Sequence, residues 1–172
     1  MDFNIEKAFE IFHYTPKVLN ILLSNISVDW IKNNEGTDTW SPYMVVAHLL
    51  HSEKTHWISR VRTILAGDEE AVFILFDSSF QFKNCEGKSI KLLIDEFTEF
   101  RYRNIKELQE YNIDDERLLL KATHPEFGKI QLKQLLAAWV AHDLNHIKQI
   151  LRIMAMQLKE EMGPWKKYII IK

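Results

Sequence analysis

The chain has one cysteine, Cys85, in 172 residues, so no internal disulfide can form. That fits a reducing compartment. Glycine and proline together number nine, roughly half the share found in an average protein. Turns are therefore scarce, which excludes a many-stranded β fold. Positive charge is not in excess: 22 Lys and Arg stand against 24 Asp and Glu, with no basic block. A phosphate-tracking protein concentrates cations on one stripe, so nucleic acid is not an expected partner. Long apolar runs are missing too. The longest stretch without a charged residue is residues 39–52, short of the ~20 residues that span a bilayer. The first residues, MDFNIEK, lack the charged-then-apolar pattern of a signal peptide. The expectation is a soluble, cytoplasmic protein with no membrane partner.

What is present is a globular mixture, 47% apolar and 27% charged. The length suits one domain over residues 1–172. Four segments carry helical periodicity. The first covers residues 3–26, where Pro16 either kinks the helix or starts its main part with Thr15 as cap. The second runs from a Ser41 cap and Pro42 to about Ala66, stopped by Gly67. The third covers residues 89–111, and the fourth residues 131–161, ended by Gly163 and Pro164. AVFILF (residues 71–76) and the stretch around Asn84, Cys85 and Gly87 read as a short extra helix or a crossover. Pro125 and Gly128 predict a small hairpin-like loop before the last helix. Four amphipathic helices with such connections predict an all-α four-helix bundle.

Seven histidines punctuate this pattern: His13, His48, His51, His56, His124, His142 and His146. His142 and His146 lie four apart, one turn from each other on the inward face of the last helix. Burying two imidazoles side by side is costly unless something satisfies them. A metal ion does so through both rings, because His-x-x-x-His on a helix presents two donors together. Hydrogen bonds to neighbouring polar groups are the alternative. His48, on an uncharged polar stripe with Ser52, Thr55 and Ser59, is the favoured third ligand. That stripe reads as the wall of a wet cavity, with Val46, Leu50, Trp57, Val61, Ile64 and Leu65 packing the core behind it. His51 and His56 are the substitutes for His48. Three neutral imidazoles leave a coordination position open, as catalytic sites do. A divalent ion so held polarises oxygen or activates a water or thiol. A rival di-iron pattern uses Glu10-x-x-His13 and Glu53-x-x-His56. Its first pair lies immediately before the Thr15–Pro16 break, a poor place for rigid ligands, and the pattern leaves His142 and His146 unexplained.

Two stretches, WSPYMVVAHLLHSE (residues 40–53) and THPEFGKIQLKQLLAAWVAHDLNHIKQI (residues 123–150), resemble the DinB/YfiT superfamily, as does the tail MGPWKKY (residues 162–168). The resemblance implies an up-down-down-up bundle, often a homodimer, with a divalent metal on three histidines, commonly zinc or nickel. Carried over residue by residue, the ligands fall on His48, His142 and His146. Some members are S-transferases or isomerases using bacillithiol, mycothiol or glutathione. Others are classed by analogy as metal-dependent hydrolases, and many have no known activity. The resemblance thus implies an enzyme that activates a small thiol or water toward a small-molecule substrate. The competing expectation is a non-enzymatic, stress-related binding protein with a structural or vestigial metal site.

Single residues carry further expectations. Glu53 reads as a structural partner rather than a base, and His124 as a turn-ordering residue rather than a proton carrier. Trp40 and Trp139 read as core residues that could also line a pocket. Arg60, Arg101 and Arg103 are equal candidates for an acidic thiol cofactor. Nothing near Cys85 in sequence lowers its pKa, which argues against a nucleophile. AVFILF is the expected source of a dimer surface.

Overall fold

The structure, a computed structural model, describes residues 2–75 and 85–169. Among these, the long elements are α1 (Ile5–Leu23), α3 (Pro42–Thr55), α4 (Trp57–Leu65), α5 (Ile90–Glu110) and α7 (Leu132–Met156). Short helices α2 (Val28–Lys32) and α6 (Asp115–Leu118) sit in connections. An antiparallel hairpin, β1 (Lys121–His124) with β2 (Gly128–Gln131), precedes α7. No described helix is long and apolar enough to cross a membrane.

Local chemistry sets several boundaries as expected. The Ser41 and Ser89 side chains accept from the amides of Met44 and Leu92, capping α3 and α5. The Gln134 side chain accepts the Gln131 amide at the start of α7. Gly128 turns the hairpin at φ +73°, a conformation glycine adopts without a Cβ clash.

Four details differ from expectation. First, α1 runs unbroken through Pro16, and Thr15 is a buried mid-helix residue rather than a cap. A proline lacks the amide that would meet the carbonyl four residues earlier. That carbonyl, on Phe12, accepts instead from Arg101 Nη1 at 3.3 Å. Second, the helix predicted over residues 42–66 is broken at His56, whose backbone sits at φ −111°, ψ −65°. Hydroxyls of Thr55, Ser59 and Thr63 each bond back to a carbonyl one turn earlier, an arrangement that bends helices. The expected polar stripe is therefore interrupted, and Thr55 and Ser59 spend their hydroxyls on their own backbone rather than on a cavity. Third, the last helix ends at Met156 rather than 161. Residues 157–169 bury almost nothing, so no packing sustains the helix there. Fourth, residues 71–73 pair with β1: Val72 bridges Thr123, and Phe73 N donates to the Thr123 carbonyl at 2.9 Å. Residues 76–84 of that ambiguous segment lie outside the described residues.

Two apolar clusters fill the bundle. One gathers Phe9, Phe12, Trp57, Val61, Ile64, Ile105, Leu108, Leu136 and Trp139. The other gathers Leu19, Leu23, Val46, Leu50, Leu93, Phe97, Ile150 and Ile153. Along α1 and α7 the chain passes from the first cluster to the second, and along α3–α4 and α5 from the second to the first. This order is the up-down-down-up arrangement. Correspondingly, α1 packs on α5 and α7, and α3 packs on the same two helices, so the first bundle helix neighbours the third and fourth rather than the second.

Between the clusters each helix contributes polar residues: Thr15, Glu53, Arg101 with Asn104, and Asp143, all buried. Arg101 donates to Glu53 Oε1 through Nε and Nη2, and to Asp143 through Nη1 and Nη2. Asn104 donates to Glu53 Oε2 at 2.9 Å, Trp139 Nε1 to Glu53 Oε1 at 3.0 Å, and Thr15 to Asp143 Oδ2 at 2.8 Å. Burial pushes the Glu53 carboxyl above its ordinary range, against the pull of Arg101. The expectation that Glu53 is a structural partner matches this geometry.

Candidate metal centre

The same level of the bundle carries the histidines. His48 projects from α3, and His142 and His146 from consecutive turns of α7. The Nε2 atoms of His48 and His142 are 3.1 Å apart, and those of His142 and His146 are 3.2 Å apart. One nitrogen from each of the three lies within 4.8 Å of the others. Nitrogens bound tetrahedrally at ~2.0–2.1 Å stand roughly 3.3 Å apart, so two of the three separations already match a shared ion. Among the described residues, this is the only such group of histidine, cysteine or carboxylate donors.

The rings have the protonation and support that ligation needs. Burial, reinforced by the neighbouring His146 and His48, pushes His142 down to about 2. Burial also holds His146 below the ordinary histidine value. Both are neutral at physiological pH, with lone pairs available. His146 Nδ1 lies 2.8 Å from Gln149 Oε1. An amide oxygen can only accept, so the proton is on Nδ1 and the Nε2 lone pair faces the cluster. His142 Nδ1 is buried with no hydrogen-bond partner, and its ring is held by packing against the Trp57 indole at 5.0 Å. Trp40 lies 5.1 Å from the His48 ring and stacks over His146 at 6.4 Å. On that side a cavity of about 440 Å³ reaches His146, lined by Trp40, Glu35, Gln149 and Arg152 among others.

The remaining sequence candidates fall elsewhere. His13 faces Tyr102 on the outer side of α1, and Glu10 is exposed. Glu53 belongs to the Arg101 layer, so the di-iron pattern does not assemble. His51 and His56 stay outside the three-histidine group. His124 Nδ1 accepts the Glu126 amide at 3.1 Å, ordering the hairpin turn. Trp139 is plain core with its N–H tied to Glu53, whereas Trp40 lines the site. Cys85 is buried, which pushes its thiol up and away from reactivity. Of the three arginines, Arg101 is consumed in the core and Arg103 pairs with Glu99 on the surface. Gln149 is the supporting residue that sequence reasoning did not assign. Its signal was available, since i and i+3 on a helix are neighbours.

An up-down-down-up helical bundle with three inward histidines meeting on two of its helices defines the class. The DinB superfamily model matches residues 11–150, and the chain belongs to that superfamily. Among solved structures, YfiT from Bacillus subtilis superposes with a TM-score of 0.71 at 20% identity, over 92% of this chain and 87% of its own. It is described as a probable metal-dependent hydrolase with an unusual four-helix bundle topology. TT2238, a four-helix bundle protein, superposes with a TM-score of 0.54 at 17% identity, over 86% of this chain and 98% of its own. At these identities the likeness is one of fold. No curated protein matches the sequence significantly.

Proposed function

We propose that the chain is a metal-dependent enzyme whose divalent ion is held by His48, His142 and His146. The observation that carries this reading is the convergence of three Nε2 atoms with His146 oriented by Gln149. Bound there, zinc or nickel would lower the pKa of a water or small thiol and polarise an electrophile. The protein supplies the rest. Gln149 keeps the Nε2 lone pair of His146 directed inward. Trp57 and Trp40 wall the imidazoles with apolar surface, which strengthens electrostatic interactions at the site. Arg101 grips Glu53 on α3 and Asp143 on α7, the two helices that bear the histidines, and so fixes the spacing between His48 and His142.

The cavity beside His146 is large enough for a small-molecule substrate. The likeness to YfiT supports hydrolysis, and the sequence resemblance supports S-transfer from a low-molecular-weight thiol such as bacillithiol. Assays with water alone and with added thiol separate the two.

Elemental analysis of tag-free protein tests the site itself. About one equivalent of divalent metal per chain is expected, given one three-ligand site. His48→Ala should lose that metal while keeping its helical circular dichroism. Wild-type protein that takes up neither zinc nor nickel would overturn the reading and leave the non-enzymatic binding protein in its place.

A further inference from the structure

Arg60, on α4, is the one candidate arginine that neither the core nor a surface pair consumes. It is 9% exposed, and its Nε is buried with no hydrogen-bond partner. Among the described residues no carboxylate forms an ion pair with it. Consistently, burial pushes its pKa downward. The guanidinium lies over the Phe73 ring at 5.0 Å. That ring meets His124 edge-on at 6.0 Å, and His124 in turn stacks on the exposed Phe127 at 4.4 Å. Because His124 Nδ1 accepts the Glu126 amide, its Nε2 carries the proton and is a second donor. The exposed Glu126 acts on His124 and not on Arg60.

A desolvated cation is costly unless an anion meets it. Among the described residues none does, and the position of Arg60 points to a ligand. Trp57, one turn before Arg60, packs on His142. His56 lies within electrostatic reach of both His48 and Arg60. Arg60 thus stands one helical turn from a residue that packs directly on the three-histidine group.

We propose that Arg60 is the anion-recognition group of a subsite beside the three histidines, seating a carboxylate or phosphate of the substrate on its unpaired edge. A guanidinium offers two parallel N–H donors to such a group, a match that a lysine ammonium cannot reproduce. Phe73 backs the guanidinium from the core side, and the exposed Phe127 provides apolar surface for the adjoining part of the ligand. This deepens the enzymatic reading and rests on it for the ligand's being a substrate, but the anion site is measurable without metal.

The test follows the Arg60 Nε–H resonance of the ¹⁵N-labelled full chain, metal-free and zinc-loaded, during titration with inorganic phosphate and, separately, with acetate. A saturable shift with at least one anion is expected, and the stronger of the two identifies the headgroup class. In Arg60→Lys, binding of that anion, followed on neighbouring backbone amides, should weaken about tenfold or more. Arg103→Lys should bind as wild type does. No saturable shift in the wild type, or unchanged affinity in Arg60→Lys, would overturn the proposal. Metal content measured in parallel keeps the two readings apart. Arg60→Lys should retain wild-type metal, and a wild type that binds anion but no metal would sink only the metal centre.

Discussion

Gln149 orients His146 through one hydrogen bond of 2.8 Å. Residues that hold a ligand's second nitrogen typically contribute 10- to 100-fold to metal affinity. Gln149→Ala should therefore weaken metal binding by roughly that factor, with the fold kept, as read by competition with a chelator. Gln149→Glu, which still accepts from Nδ1, should restore most of it. The histidines themselves could be found from the sequence because a spacing of four is a local fact, converted to a shared face by helix geometry alone. His48 was separable from His51 for the same reason. Arg60 was not separable from Arg101 or Arg103. Its isolation depends on Phe73 and His124, which reach it only through the fold.

At the scale of the element, caps and periodicity set most helix boundaries, while departures from them came from tertiary contacts. Pro16 reads locally as a break. It survives inside α1 because Arg101, 85 positions away in sequence, serves the carbonyl it leaves open. The break at His56 has the opposite origin, in hydroxyls that compete for carbonyls within one helix, and no periodicity count registers it. Arg101 is the residue on which four elements depend. Arg101→Met should cost about 3–5 kcal/mol, because it strands two buried carboxylates. Glu53→Gln should cost less, since the amide oxygen still accepts from Trp139 and the remaining ion pair is one to one. Denaturant unfolding of the two variants checks the order. Equal losses would mean that Glu53, rather than Arg101, organises the layer.

For the whole molecule, the order of helices was readable only through family resemblance, because composition and periodicity say nothing about which helix neighbours which. The structure supplies the physical ground in its two apolar clusters. It also leaves Val72, Ile74 and Leu75 exposed in the segment that pairs with β1, and Phe127 exposed at the hairpin turn. Apolar surface gathered in this way commonly marks a contact with another chain. We propose that it is where two copies of this chain pair. Sedimentation at micromolar concentration should show a dimer, and Ile74→Glu should shift it to monomer. A monomeric wild type would remove this assembly from consideration.

The buried polar layer also acts as an alignment mark. Greasy helix faces slide past one another at little cost, since one aliphatic contact substitutes for the next. Here α1, α3, α5 and α7 each bring one level of this polar layer, and the four levels must coincide. Displacing any helix by one turn, about 5.4 Å, would carry Arg101, Glu53 or Asp143 into hydrocarbon. Where the displaced helix is α3 or α7, His48 would also be pulled away from His142 by the same step. Axial register and the assembly of the histidine group are therefore one structural decision, taken when the chain folds and before any ion arrives.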